Sequence, residues 1–480
     1  MSLDTASIQF VGFGLAAVLL SNFSPSSTWR AAVLFVSSLL FIGISAGGVS
    51  ALIPLAGFLL LGYVGLVLLE RGVHRVLVCG LVLVILAYAW LKKYTFIPDG
   101  ILLSRPYFTL GLSYIFFRVL HLLIEAGDQG GKRYIGLGAY LLYNLNFTTL
   151  VSGPIQRYDE FAADQFAVEP IELGAQTRGL QFERIVRGFF KVNVLAMIFD
   201  TIHVDALAEL AQPVPIAVKL LAAFKLGVSY PLFLYCNFSG YIDIVIALAR
   251  LMRVRLPENF DRPFSASCVL DFWNQWHMTL SKWLKTYVYN PLLVALMRRI
   301  PSIEAQPYLG VFCFFVTFFL VGIWHGRTSE FVMFGFLTGA GMSVNKLWQI
   351  GLTNAMGRKG YQALAKSPTY VSLGRGLNFA WFSFTLFWFW ASWAQLSTAF
   401  RALGALDWVA VWSSVWFIAS AVLAAWEWLR RWLLSIRWGR EPLIMSEYAR
   451  VAFATAFGLI SFVTIALLNQ PVPPIVYKAF

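Results

Sequence analysis

Apolar runs close to membrane-spanning length recur from one end of this chain to the other, and they limit its fold more tightly than anything else in the sequence. Leu52 to Leu69, Val76 to Leu91, Tyr308 to Trp324, Phe379 to Ala394 and Val451 to Leu468 are of this kind. A helix needs about 20 such residues to cross a bilayer. Composition agrees, because 13% of the 480 residues are charged and 59% are hydrophobic, whereas a soluble protein carries about 25% charged residues. Lipid offers no partner to an open backbone, so the runs predict helices. The expectation is an all-α polytopic membrane protein with roughly 11–13 transmembrane helices. The first run, Ile8 to Leu20, follows a polar start carrying Asp4 rather than a basic region. It therefore reads as a retained first helix, not a removed signal peptide.

The net charge of +13 would point to nucleic acid in a soluble protein. Here the basic residues sit mainly between apolar runs, which assigns them to topology and lipid headgroups; the bilayer is the expected partner and nucleic acid is not. Arg298-Arg299, Arg358-Lys359, and Arg430-Arg431 with Arg437 and Arg440 read as cytoplasmic-loop clusters. Lys92-Lys93 and Lys132-Arg133 do not fit a simple alternating count, so orientation stays open, and re-entrant segments would explain the conflict. Cys79, Cys236, Cys268 and Cys313 are each isolated in or beside apolar sequence and offer neither metal-ligand spacing nor a disulfide framework. The longest polar stretch, residues 156–183, suits a loop with one short surface helix. The reading is one integral membrane domain over 1–480, without a soluble block or an internal repeat.

Two histidines set in tryptophan-rich apolar sequence are the catalytic candidates: His277 in Asp271-Phe272-Trp273-Asn274-Gln275-Trp276-His277, and His325 in Trp324-His325-Gly326. An ionisable group at membrane depth loses hydration and marks a cavity, a proton path or a reaction centre. If one helix carries His277, then Asn274, His277, Ser281 and Lys285 share a face, with Trp273, Trp276 and Trp283 beside them. That would make a polar wall bordered by indoles. Gly326 removes bulk beside His325, so another backbone or a substrate could approach. Upstream, Asn237-Phe238-Ser239-Gly240-Tyr241-Ile242-Asp243 puts polar groups into an apolar run, where they serve either as a knot between helices or in chemistry. Leu256-Pro257-Glu258-Asn259-Phe260-Asp261-Arg262-Pro263-Phe264 is broken by two prolines into a polar, non-helical segment. The two histidines lie far apart in sequence without a His-Glu-x-x-His pattern, and catalytic zinc takes three protein ligands. No metal is expected.

These segments together resemble a known family. Phe238-Ser239-Gly240-Tyr241 with Asp243, the Leu256–Phe264 run, the Asp271–Trp283 run and Trp324-His325-Gly326 resemble the membrane-bound O-acyltransferase (MBOAT) family. The likeness is to its bacterial branch that acylates exported polysaccharides, and Gly111-Leu112-Ser113-Tyr114 with Arg118, and Ser152-Gly153-Pro154-Ile155-Gln156-Arg157-Tyr158, are similar to the teichoic acid D-alanyltransferase of that branch. Alginate O-acetyltransferase and teichoic acid D-alanyltransferase belong to that branch. The motifs run in order through residues 107–326, within an expected catalytic core at 107–350. The resemblance implies helices around a central funnel or tunnel, His325 as the essential histidine and His277 as the second one. Asn274, Trp276, Ser281, Lys285, Asp243, Ser239, Asn259 and Arg157 are the expected substrate-binding or tunnel-lining residues. Thr286 stands where the branch usually has an acidic residue, and Arg327-Thr328-Ser329 departs from the alginate pattern. Both departures bear on donor, partner and acceptor rather than on reaction class.

The chemistry also follows from the residues. Acyl transfer from a thioester to a hydroxyl needs a base near pKa 7, which histidine supplies. His325 is expected to be that base, and His277 a positioning or oxyanion-stabilising partner. The expected donor is acetyl-CoA, or else a D-alanyl or other acyl group on a carrier protein. No bound cofactor is expected. The expected acceptor is an exported cell-surface polysaccharide, reached from the inner (cytoplasmic) membrane with an extracytoplasmic acyltransferase or a carrier protein as partner. A transporter or flippase with a histidine-lined path is the alternative from another class.

Overall fold

The structure is a computed structural model that describes residues 7–128, 134–438 and 441–468; Asp4, Lys132, Arg133 and Arg440 lie outside them. Among the described residues its contacts divide into two compact units, one of residues up to Phe189 with Gly240–Glu258, the other of Phe190–Ser239 with the described residues from Asn259 onward.

The first unit is built from α1 (Ile8–Ser21), α2 (Ser27–Ser45), α3 (Ile53–Glu70), α4 (Val76–Lys92), α5 (Leu112–Asp128), α6 (Leu137–Leu145), α7 (Phe147–Leu150), α8 (Tyr158–Gln165) and α9 (Ala175–Phe190). Ser7 caps α1 by accepting a hydrogen bond from the Phe10 N–H. Arg118 of α5 is fully buried, and its guanidinium donates to the carbonyls of Tyr143, Asn144 and Thr149 at 3.0, 2.9 and 2.7 Å. That fork ties α5 to the ends of the short helices α6 and α7, whose backbone would otherwise hold orphan carbonyls. The polar stretch read as a loop with one short helix holds all of α8 and the first turns of α9.

The second unit contains α10 (Met197–Ala211), the start of α11 (Ile216–Leu251), α12 (Val269–Gln275), α13 (Met278–Leu284), α14 (Asn290–Arg299), α15 (Gln306–His325), α16 (Ser329–Leu364), α17 (Pro368–Trp390), α18 (Trp393–Arg401), α19 (Ala405–Ser435) and α20 (Glu447–Leu468). π-Helical turns at Lys191–Ala196 and Lys285–Tyr289 lead into α10 and α14. A two-residue hairpin, β1 (Arg437–Trp438) against β2 (Glu441–Pro442), links α19 to α20. α15 and α16 pack backbone to backbone. A Cβ at Gly322 would collide with Gly335, and one at Gly339 would lie 2.7 Å from the Phe315 carbonyl oxygen. Small residues allow such close crossings where lipid gives helices no hydrophobic drive to associate.

Among the described residues six helices are long and apolar enough to cross a membrane, within residues 27–45, 49–70, 216–251, 306–325, 405–435 and 447–467, and two shorter apolar helices are α1 and α4. The chain is a multi-pass helical membrane protein. The crossings expected from sequence outnumber these spans because apolar sequence is also used in short buried helices. α6 has nine residues and α12 and α13 seven each, so at about 1.5 Å per residue none crosses a core about 30 Å thick. The run from Phe379 is divided between two helices: α17, which begins at Pro368 and has 23 residues, stops at Trp390, and a Ser392–Gln395 capping box starts α18.

Candidate active site

The sequence predicts one helix through His277, and the structure breaks it there. Trp276 is extended (φ −109°, ψ 128°) and His277 is left-handed (φ 45°, ψ 51°), a conformation that costs a non-glycine residue about 1–2 kcal/mol. It is held from outside. Phe260 bridges Trp276 in strand fashion, the Asp261 N–H donates to the Gln275 carbonyl at 3.0 Å, and the Met278 N–H donates to the Asn259 carbonyl at 3.0 Å. The proline-broken segment thus supplies the partner that pins the break. The continuous polar wall of Asn274, His277, Ser281 and Lys285 therefore does not form. Asn274 is exposed on α12, Ser281 is half-buried on α13 and Lys285 is exposed in the π-helical turn.

His277 itself is buried. Its ring packs on Phe238, centroids 5.0 Å apart, and its Nδ1 lies 3.3 Å from the Asn259 side-chain oxygen. That oxygen also accepts from the Thr279 N–H at 3.1 Å and the Thr279 hydroxyl at 2.8 Å. Asn259 is fully buried. His277 lies outside the spanning helices, and burial pushes its imidazole down to about 3, so the ring is neutral.

His325 ends α15 and is also buried. The Trp324 ring lies 6.3 Å from His277 and 4.7 Å from His325, centroid to centroid, so one indole contacts both imidazoles. Phe334 of α16 and Phe389 of α17 pack on His325 at 5.8 and 5.2 Å. Gly326 is needed for packing: a Cβ there would overlap the Phe331 ring. The space expected to admit a backbone or a substrate is filled by that ring.

Trp276 is buried in an aromatic cluster with Phe260 at 5.1 Å, Phe382 at 5.0 Å and a stacked Phe272 at 5.6 Å. It supports the break. Ser239, also buried, lies 3.4 Å from the Lys191 ammonium, which sits 5.7 Å from the Tyr235 ring centroid. The sequence reading missed Lys191, as well as Thr279 and Phe389. A lysine directly after Phe189-Phe190 and two residues before Asn193 was the available signal, and π-helical turns such as this one often mark functional sites.

Asp243 and Arg157 belong to the first unit. The buried Asp243 carboxylate accepts from Arg184 at 2.9 Å and stands 3.5 Å from Arg187. Arg184 also forks onto Glu258 at 2.7 and 2.5 Å. This is the interhelical knot, one of the two roles open to Asp243 from sequence. Arg157 is exposed and paired with Glu125, while neighbouring Gln156 donates to the Arg255 carbonyl at 2.7 Å. Within the first unit, these contacts use the Ser152–Tyr158 motif to tie structure together.

The fold and these residues define a class: a multi-pass helical membrane protein with two buried imidazoles gathered around one indole. Residues 128–362 match the model of the membrane-bound O-acyltransferase family, and the chain carries a domain of that family. It is 29% identical over 228 residues to a teichoic acid D-alanyltransferase of Bacillus subtilis, covering 47% of this chain and 56% of that protein. It is 27% identical over 247 residues to a peptidoglycan O-acetyltransferase of Helicobacter pylori, 51% of this chain and 43% of that one. It is 29% identical over 260 residues to a probable alginate O-acetylase AlgI of Pseudomonas fluorescens, 54% and 48% of the two chains. The chain spans about half the length of the curated relatives it matches.

Proposed function

We propose that this chain is a membrane-embedded O-acyltransferase that moves an acyl group, acetyl in the first reading, from a cytoplasmic thioester donor toward hydroxyls of an exported cell-surface polysaccharide. The observation that carries this is the pair of buried imidazoles that both pack on Trp324, both inside the residues that match the acyltransferase family. His325 takes the hydroxyl proton as the hydroxyl oxygen attacks the thioester carbon. The tetrahedral oxyanion collapses, the C–S bond breaks, and the proton passes from the imidazolium to the departing thiolate. The products are an ester and a free thiol. Base catalysis of this kind contributes about 10² to 10⁴ in rate. His277 is the second imidazole of the site.

Thioesters are made in the cytoplasm and exported glycans are modified outside, so the inner membrane is the natural location, with the two substrates entering from opposite faces. Acetyl-CoA is the first donor. The name of one relative, a teichoic acid D-alanyltransferase, supports D-alanyl as a second reading of the group, with a carrier protein as its donor. An extracytoplasmic acyltransferase would carry the group onward.

The test is acyl transfer in proteoliposomes, with thiol release and ester formation measured together. Equal yields of the two are expected, whereas a transporter would release no thiol. His325→Ala should lower transfer about 10²- to 10⁴-fold in a protein that still inserts, and His277→Ala should be severe but incomplete. Near-normal transfer by the His325 variant would reassign it to structure.

A further inference from the structure

Resting on the acyl-transfer reading of this site, we infer that Asn259 is the residue that sets the tautomer of His277, placing the proton on Nδ1 and presenting the lone pair at Nε2. The inference follows from which atoms can donate. The Thr279 backbone N–H can only donate, and it points at the Asn259 side-chain atom 3.1 Å away. That atom is therefore the amide oxygen, which can only accept. The Thr279 hydroxyl, 2.8 Å from the same oxygen, must then donate as well. His277 Nδ1 lies 3.3 Å from that oxygen, so Nδ1 carries the hydrogen. Three donors converge on one oxygen, and the imidazole keeps its lone pair on Nε2.

Asn259 is itself held in place by its neighbours. Its carbonyl accepts the Met278 N–H at 3.0 Å, and the adjoining Phe260 bridges Trp276. Both side chains are buried, so the orientation is not averaged by solvent. Against the ring pack Phe238 and Trp324, and the same indole packs on His325. Burial keeps the imidazole neutral, so the tautomer decides what the ring can do.

The consequence changes the role expected from sequence. Stabilising an oxyanion requires an N–H aimed at the developing charge, and on this assignment the Nδ1–H of neutral His277 faces the Asn259 oxygen instead. Nε2 can instead accept a hydrogen bond, so His277 orients the acceptor hydroxyl while His325 takes its proton. Asn259, expected to line a substrate path, becomes a positioning residue that acts through His277.

The experiment is nitrogen NMR of histidine-labelled full-length protein in nanodiscs, with the His277 signals identified by their loss in His277→Gln. A protonated Nδ1 and an unprotonated Nε2 are expected, and Asn259→Leu should give a mixture of tautomers. Asn259→Leu should also lower kcat about 10²-fold with KM changed less than about threefold, the cost of a misplaced catalytic group. Asn259→Asp, which keeps the acceptor, should recover most of that loss and move the acid limb of the pH–rate profile up by at least about one unit, because a carboxylate favours the imidazolium. Thr279→Val removes one donor to the same oxygen without touching the ring and should leave the acid limb in place. A wild-type His277 protonated on Nε2 would overturn the inference, as would an Asn259→Asp profile identical to wild type. Full transfer by His277→Ala would instead remove the reading of the site on which the inference rests, and the NMR result would stand apart from it.

Discussion

Gly326→Ala adds one methyl group, and the structure says where the damage goes. The new Cβ would stand less than 3 Å from three atoms of the Phe331 ring, whereas carbon atoms normally rest about 3.5–4.0 Å apart. The ring must therefore retreat by at least about 1 Å. Behind it stands Phe389, 5.5 Å away between centroids, and Phe389 packs on His325 at 5.2 Å. Phe331 and Phe389 are both buried, so the displacement reaches the imidazole. Overpacking costs about 1–3 kcal/mol in stability, while a shift of about 1 Å at a reacting group can cost about 10²-fold in rate. Activity should therefore suffer more than folding. The assay is kcat/KM for acyl transfer in proteoliposomes beside thermal unfolding in detergent. Gly326→Ala should lose about two orders of magnitude in rate with a modest drop in Tm, and adding Phe331→Leu should restore much of the rate by vacating the ring's space. A Gly326→Ala protein with wild-type rate, or a double variant no better than the single one, would refute this chain of contacts.

Arg118→Met keeps most of the volume but strips the donors from three buried carbonyls, each worth about 1–3 kcal/mol when left unsatisfied; a clear fall in Tm is expected, and a melt within experimental error of wild type would show that the guanidinium is not the tie between α5 and α6–α7. Asp243→Asn and Arg184→Met should couple in a double-mutant cycle of unfolding free energies by about 2 kcal/mol, below the 3–5 kcal/mol of a fully buried pair because Arg184 also reaches Glu258; additive effects would return Asp243 to a role in substrate binding. Lys285→Ala, at an exposed position beyond α13, should raise KM more than it lowers kcat, in a salt-sensitive way, if the lysine captures an anionic donor; steady-state kinetics at two ionic strengths decide, and a pure kcat defect would put Lys285 in the chemistry.

Helical class and membrane residence were legible because they depend on averaged properties of long segments. Any run such as Tyr308–Trp324 must close its own hydrogen bonds in lipid, whatever its neighbours are. The two histidines were legible for a related reason: an ionisable group in tryptophan-rich apolar sequence is anomalous before any contact is known. The geometry around them was not. A periodicity argument extends a helix until something stops it, and what stops this one at His277 is Asn259 and Phe260, residues some 16–18 positions earlier in the chain whose strand-like pairing exists only after folding.

The sequence by itself determined that this chain folds as helices in a membrane, that polar chemistry gathers between residues 237 and 326, and that His277 and His325 are its distinctive groups, since hydropathy and residue type act through local solvation. Tertiary structure alone decided that Trp324 contacts both rings, that Phe331 rather than a substrate occupies the space beside Gly326, that Asp243 is bound into an arginine knot, and that the Asn259 amide oxygen comes within 3.3 Å of His277 Nδ1. The reason is physical: each of these depends on two or more side chains far apart in sequence meeting at contact distance, and such forces fall off too steeply to leave a trace in composition or spacing.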